Sequence, residues 1–215
     1  MIAPSHVPED NLLAFPQTPG PAPYSGTSQE WYTPAAIIAA VYEVLHKIDL
    51  DPASCAQANK IVGATRYYTE QENGLELPWT LDGQPVKVFL NPPFGTVRSH
   101  AFWQGRSLAG FFYQRLRDEY ARGNVSEAIA LLKSDPKQSW FHPFWSGLIC
   151  FCRDRVYFDR PDGARCKQQF GTAFAYLGPH EEKFVEVFQQ FGDVARRVSL
   201  PRQTGTMQGL WTDSA

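Results

Sequence analysis

The stretch Val88-Phe89-Leu90-Asn91-Pro92-Pro93-Phe94-Gly95 joins a strand signal to groups suited to amine chemistry. An apolar run of this kind reads as a buried strand, and two prolines stop it because neither can donate to a ladder. The strand therefore ends by projecting a polar side chain, a stiff backbone carbonyl and an aromatic ring. Methylation of an exocyclic amine needs that combination, because the lone pair is delocalised into a ring and acceptors for the N–H bonds must draw it out. The Asn91 side-chain oxygen and the Pro92 carbonyl are two such acceptors, Pro93 completes the stop, and Phe94 offers a face on which a flat base can stack. A plainer reading also fits these residues: Asn-Pro-Pro as a strand-to-turn stop, with Phe94 in the core.

The surrounding chain alternates strand and helix patterns. Residues 1–27 are rich in Pro, Gly, Ser and Ala without periodicity and read as a flexible tail, 28–200 as one domain, and 201–215 as a polar tail. Trp31-Tyr32-Thr33-Pro34 leads into a helix, with Thr33 as N-cap and Pro34 at the first helical position. Ile37, Ile38, Val41, Leu45 and Ile48 fall on one face of it. Ile48 to Asp51 is a short strand ending in Asp51-Pro52-Ala53-Ser54, and a helix over 53–61 is expected to follow. Acidic residues at the carboxyl end of a first parallel strand stand where open α/β sheets bind ligands. Arg66 to Leu75 reads as a polar loop carrying Glu72 and Asn73 into the pocket. A helix follows, with Leu108, Phe111, Phe112, Leu116 and Tyr120 on its apolar face and Arg115, Arg117 and Arg122 on its polar face. Further strands are expected at 128–132, 148–152, 172–177 and 194–198, with a basic loop over 153–167 and a helix from His180 to Phe191. The alternation predicts an α/β fold with a mostly parallel central sheet.

Composition narrows the classes. Hydrophobic residues make up 43% and aromatics 14% of 215 residues, which suits one globular domain with a real core. No apolar run approaches the ~18–20 residues of a membrane span, and the N-terminus does not read as a secretory signal, so a cytoplasmic protein is expected. Cys55, Cys150, Cys152 and Cys166 lack metal-type spacing, and no metal is expected. None of them follows a proline, which argues against the Pro-Cys nucleophile of a cytosine C5 methyltransferase. The net charge of −2 is unevenly spread: residues 96–170 hold 12 Lys/Arg against 7 Asp/Glu. Arg98, Arg106, Lys133, Lys137, Arg153, Arg155, Arg160, Arg165 and Lys167 are thus candidates for a phosphate-facing side.

Taken in order, Trp31-Tyr32-Thr33-Pro34, Asp49 to Ser54, Asn73-Gly74-Leu75 with Trp79, Asn91-Pro92-Pro93-Phe94 and Trp140-Phe141 resemble phage-type DNA N6-adenine methyltransferases over residues 29–198. The resemblance implies a Rossmann-like, S-adenosylmethionine-dependent methyltransferase, in the host cytoplasm if phage-encoded. Trp31, Thr33 and Pro34 would lie against the methionine end of S-adenosylmethionine. Asp51, Pro52 and Ser54 match its first loop, and Asn73 with Leu75 the loop near its adenine. Asn91, Pro92, Pro93 and Phe94 match the catalytic motif, with Asn91 also facing the cofactor. The chain departs from the pattern after Ser54, where the usual glycines are missing. The ribose-holding acid has no clean match: Glu70 and Glu72 are candidates, and Glu72 reads equally well as surface charge. Implied is direct in-line transfer to N6 of a flipped adenine in DNA, without covalent intermediate or metal. An RNA-adenine or protein-glutamine N-methyltransferase and a non-catalytic DNA-binding or anti-restriction protein stay open as alternatives. No room remains for a separate recognition domain, so low sequence specificity is expected.

Overall fold

A strand apolar on both faces needs helices on both sides. The computed structural model, which describes residues 31–96, 106–159, 165–167 (as backbone) and 170–198, supplies them. In chain order the elements are α1 (Ala35–Leu45), β1 (Leu50–Asp51), α2 (Ala56–Val62), β2 (Arg66–Tyr67), β3 (Val86–Leu90), α3 (Leu108–Ala121) and β4 (Val125–Lys133). A 3₁₀ turn (His142–Ser146), β5 (Leu148–Cys152), β6 (Tyr157–Asp159), β7 (Arg165–Lys167), β8 (Thr172–Leu177), α4 (Glu181–Phe188) and β9 (Gly192–Ala195) follow. Seven strands form one sheet in the order β2-β1-β3-β4-β8-β5-β9, and β6 pairs with β7 in a separate hairpin.

Alternation along the strands sorts the core into two layers. Val86, Val88 and Leu90 of β3, with Ala128, Ala130 and Leu132 of β4, pack on Phe112, Tyr113 and Leu116 of α3. Phe89, Ile129 and Leu131 point the other way, onto Val41 and Leu45 of α1 and Phe184 and Phe188 of α4. The architecture is therefore mixed α/β, with helices on both faces of the sheet.

The sheet is mostly parallel only on the side that carries Asn91. β2, β1, β3 and β4 pair in parallel, whereas β4–β8, β5–β8 and β5–β9 are antiparallel, so three of the six pairings depart from the expectation. The reason lies in the connection between β5 and β8. It is the β6–β7 hairpin rather than a crossover helix, and without a crossover the chain can only return antiparallel.

Other departures are local. Pro34, not Thr33, is the N-cap of α1, and no side chain bonds there. The expected polar loop at 66–75 opens with β2, paired in register with Leu50 and Asp51. The helix expected to reach Phe191 ends at Phe188, because Gly192 already belongs to β9; a Cβ there would lie 1.8 Å from the Phe151 carbonyl oxygen. The tails at 1–27 and 201–215, Arg98 and Arg160 lie outside the described residues, as do the side chains of Arg165, Cys166 and Lys167.

Topology places a ligand crevice. From β1 the chain moves outward through α2 to β2, then returns to β3 on the other flank of β1. The strand order thus reverses between β1 and β3, and open α/β sheets bind ligands outside the carboxyl ends of strands at such a point. Leu50 is level with Val88, so Asn91 stands opposite the turn that follows Asp51.

That turn is buttressed by Gly74, whose backbone sits so close that a Cβ would lie 1.9 Å from the Pro52 carbonyl oxygen. The Gly74 carbonyl in turn accepts the indole N–H of buried Trp79 at 2.8 Å. Gly74→Ala must push the 73–79 loop off the turn, and overpacking of this kind costs roughly 1–3 kcal/mol. Urea denaturation is expected to show the unfolding free energy lowered by that much and the midpoint shifted down accordingly; an unchanged midpoint would mean the two segments are not tightly packed.

Candidate active site

Three chain segments meet at the crevice. The Asn91 side chain donates from Nδ2 to the Trp31 carbonyl and to the Thr33 hydroxyl oxygen, both at 3.1 Å. A backbone carbonyl can only accept, so the Trp31 oxygen fixes which end of the amide is NH2. Oδ1 is left without a hydrogen bond among the described residues, and so is the Pro92 carbonyl. Both acceptors named from the sequence are thus available at the end of β3.

The segment that holds Asn91 is itself held. Tyr32 and Asp159 exchange backbone hydrogen bonds of 2.8 and 3.1 Å, which ties residues 31–33 to β6. Trp31 packs edge-on against buried Phe158, with ring centroids 6.3 Å apart. Neither β6 nor its contact with Tyr32 was legible in the sequence, which shows only a basic loop there.

Across the crevice, Asp51 is 2% exposed. Burial pushes its carboxyl up to about 7, although the neighbouring Ser54 hydroxyl and the Ala53 N–H pull it back. The Ala53 bond is long, 3.3 Å. Ser54 Oγ lies near enough to act on the carboxyl electrostatically yet is not aligned in a hydrogen bond, and it is buried without a partner. A half-satisfied carboxyl and an orphaned hydroxyl together suit a ligand that brings its own donors. Asp49, by contrast, serves the fold: it accepts the Lys87 N–H at 2.9 Å and pairs with Lys47.

The 69–76 segment turns most of its polar groups on itself. Glu72 is exposed, and the Thr69 N–H and hydroxyl, at 2.9 and 2.8 Å, hold its carboxyl below the usual range. Its environment is that of a turn cap, in line with the surface reading. Asn73, at φ 56°, accepts the Leu75 N–H at 3.2 Å and donates to Glu76 at 2.9 Å. Leu75 remains half-buried beside the core under β1 and β3. Arg115 accepts no phosphate role here: it donates to the Leu75 and Leu77 carbonyls and pairs with buried Glu119 at 2.7 Å.

Phe94 lies at the end of the sheet, its ring edge-on to Phe170 at 5.3 Å. Lys133, from the end of β4, places Nζ 5.3 Å from the Phe94 centroid and 4.5 Å from that of Phe170. Burial lowers this lysine below the usual range, with Asp135 opposing the shift. Lys133 thus forms part of the aromatic wall beside Phe94. Phe170 has no signal in the sequence that would have marked it.

The basic residues gather for a topological reason. β3, β4 and β5 run in one direction, so the segments after them leave the same edge of the sheet as Asn91. Arg106, Lys133, Lys137, Arg153 and Arg155 all belong to those segments. Arg153 is committed to Asp193 at 3.2 Å and to the Gln189 and Gly192 carbonyls, which fastens it to β9. No group of three or more His, Cys, Asp or Glu side chains among the described residues could hold a metal, and no helix among them is long and apolar enough to cross a membrane.

Asp51 carries a pH signature. Its folded-state pKa of about 7 lies above the ordinary 3.8, so folding favours the protonated form. The stabilisation is complete below about pH 4 and is lost as pH rises to about 7, by on the order of 4 kcal/mol at about 1.4 kcal/mol per unit. Asp51→Asn is expected to flatten this slope and to raise the unfolding free energy of the ligand-free protein at pH 8. Parallel slopes for wild type and variant between pH 4 and 7 would contradict the burial of an uncompensated carboxyl.

Residues 24–171 match the family described as DNA N-6-adenine-methyltransferase (Dam). No curated protein and no solved structure matches the chain. The matched segment runs from before Trp31 to just past Phe170, taking in the strap, the crevice and the aromatic wall, and it covers well over half of the sequence. The chain belongs to the DNA N-6-adenine-methyltransferase family.

Proposed function

We propose that the chain transfers a methyl group from S-adenosylmethionine to N6 of an adenine in DNA, on a Rossmann-like sheet. The observation that carries this reading is the Asn91 amide. Its NH2 is held by Trp31 and Thr33, which leaves its Oδ1, like the carbonyl of the adjoining Pro92, without a hydrogen bond among the described residues. Two acceptors at one point suit the two N–H bonds of an exocyclic amine. Accepting those hydrogens shifts electron density toward nitrogen and localises the lone pair that must attack the methyl carbon. In the transfer the new C–N bond would replace the C–S bond, the sulfur leaving as the neutral thioether, and one N6 proton would pass to water to restore a neutral amine. Bound S-adenosylmethionine supplies the methyl group already activated on a sulfonium, so the chain needs no nucleophile of its own.

Asp51 and Ser54 would hold the cofactor through donors that the ligand brings, with Pro52, Leu75, Trp31 and Pro34 as apolar surroundings. Burial of Asp51 without a full set of partners supports this, since a bound ligand would then relieve its desolvation. Thr33, Asn73 and Glu72 are committed within the protein. Phe94, steadied by Phe170 and Lys133, would stack on the target base. An adenine inside a duplex cannot reach the sheet edge, so the base flips out. The Arg and Lys residues leaving the same edge would take the flanking phosphates.

Catalysis here is positioning plus preorganised polar groups. Asn91→Ala is expected to lower turnover on the order of 100-fold or more with cofactor affinity retained, and Phe94→Ala to lose roughly 1–3 kcal/mol of base stacking. Tritium transfer from labelled cofactor to DNA, RNA and host protein, followed by digestion to nucleosides, tests the reading. Label in N6-methyladenine of DNA is the expected result. Label confined to RNA or protein, or full activity in Asn91→Ala, would overturn it.

A further inference from the structure

The geometry points to Thr33 as a positioning residue that holds the Asn91 amide in the orientation the Trp31 carbonyl selects, rather than as a direct cofactor ligand. This rests on the proposal that Asn91 Oδ1 accepts from the reacting amine. A primary amide has two N–H donors on one side and two lone pairs on the other, and a half-turn about its last bond exchanges them. In one orientation Asn91 offers an acceptor to the amine. In the other it offers two donors, which the amine hydrogens cannot use and which would compete for the lone pair that must attack. The two states have nearly the same shape, so packing alone does not choose between them. The choice falls to hydrogen bonds, and two are present: Nδ2 to the Trp31 carbonyl and Nδ2 to the Thr33 hydroxyl oxygen, each 3.1 Å. Turning the amide over would set Oδ1 against the acceptor-only Trp31 carbonyl, so that carbonyl selects the orientation, while the Thr33 hydroxyl, which can donate or accept, pins the amide in the plane so selected.

Three further observations make Thr33 suited to the task. Its side chain is free of the more ordinary duty of capping, since Pro34 is the N-cap of α1 and no side-chain cap bond is made there. It is 3% exposed, so water does not compete for its oxygen. Its backbone is constrained from both directions: the residue before a proline is kept out of the helical region, and Tyr32 is clamped to Asp159 of β6. The hydroxyl is thus delivered to Asn91 by a segment that cannot easily swing away. The contact joins residues 58 apart in sequence, so no local pattern announces it.

A double-mutant cycle on the full chain tests this, with single-turnover methyl transfer to adenine-containing DNA and calorimetry with S-adenosylmethionine as readouts. Thr33→Val keeps the branched shape and removes the acceptor; Thr33→Ser keeps the hydroxyl; Thr33→Ala serves if valine disturbs folding, judged by circular dichroism. Thr33→Val is expected to slow transfer roughly tenfold, in keeping with one lost hydrogen bond, while the Kd for cofactor and the KM for DNA stay within about twofold. Thr33→Ser is expected to restore most of the rate. In an Asn91→Ala background, Thr33→Val is expected to add no further loss, because there is no amide left to orient. A cofactor Kd that rises in step with the fall in rate would overturn the inference, as would a further tenfold loss in the Asn91→Ala background or a Thr33→Val enzyme as fast as wild type. If Asn91→Ala itself keeps the full rate, it is the role of Asn91 that fails, and that result is distinct from all the others.

Discussion

The parallel pairing of β1 with β3 is the constraint on which the rest of the structure depends. Because the two strands run together, Asp51 and Asn91 leave the sheet on the same edge, and because β2 lies on the far side of β1, no strand of the sheet stands between their ends. The two prolines then do what a parallel ladder cannot: they end β3 at a defined residue while β4 continues to Lys133. That difference in length creates a step at the sheet edge. Asn91 and Phe94 follow the short strand, and Lys133 and Phe170 form the riser beside Phe94. In the proposed function this step receives the flat base, with a wall on one side and hydrogen-bond acceptors at its foot.

Charge pairing differs between the crevice and the rest of the fold. Elsewhere the buried charges are paired: Glu127 meets Lys87 at 2.8 Å, Tyr176 at 2.6 Å and His180 at 3.0 Å, and Glu119 meets Arg115 and Asn124. At the crevice Asp51 and Ser54 lack such partners, and Lys133 has aromatic faces rather than a carboxylate. Unsatisfied buried polar groups are expensive. Among the described residues the buried side-chain atoms without a hydrogen bond are Ser54 Oγ, Thr172 Oγ1 and, inside ion pairs, Arg115 Nε and Glu127 Oε2; of these Ser54 lies at the topological switch point, beside Asp51.

What the sequence disclosed follows a physical line. β3, β4 and β8 were legible because Val88 to Leu90, Ala128 to Leu132 and Thr172 to Leu177 are apolar runs long enough to need burial. The Asn-Pro-Pro-Phe stop was legible because proline acts locally on its own backbone. β2 was not, since two residues carry no periodicity, and the three-residue strands β6 and β7 carry too many charges to look like a sheet. The helix end near Phe188 was misplaced because Phe191 continues the apolar period, while the demand that Gly192 lie against Phe151 comes from a strand 40 residues away. Thr33 was mistaken for a helix cap for the same reason. Threonine before a proline and a helix is a local signal, and its actual partner, Asn91, is not local at all. The arginines were countable but not assignable: Arg115 and Arg153 look like surface charges until the carbonyls they bind are seen.

The claim that matters most is that the Asn91 oxygen faces the amine while its nitrogen faces the strap. A crystal structure of the protein with adenine-containing DNA and a non-transferable analogue of S-adenosylmethionine tests it directly. The predicted result is a flipped adenine against Phe94, N6 within hydrogen-bond distance of Asn91 Oδ1 and the Pro92 carbonyl, and Nδ2 still on Trp31 and Thr33. A complex in which Nδ2 turns toward the base, or in which the base binds away from the end of β3, would contradict it.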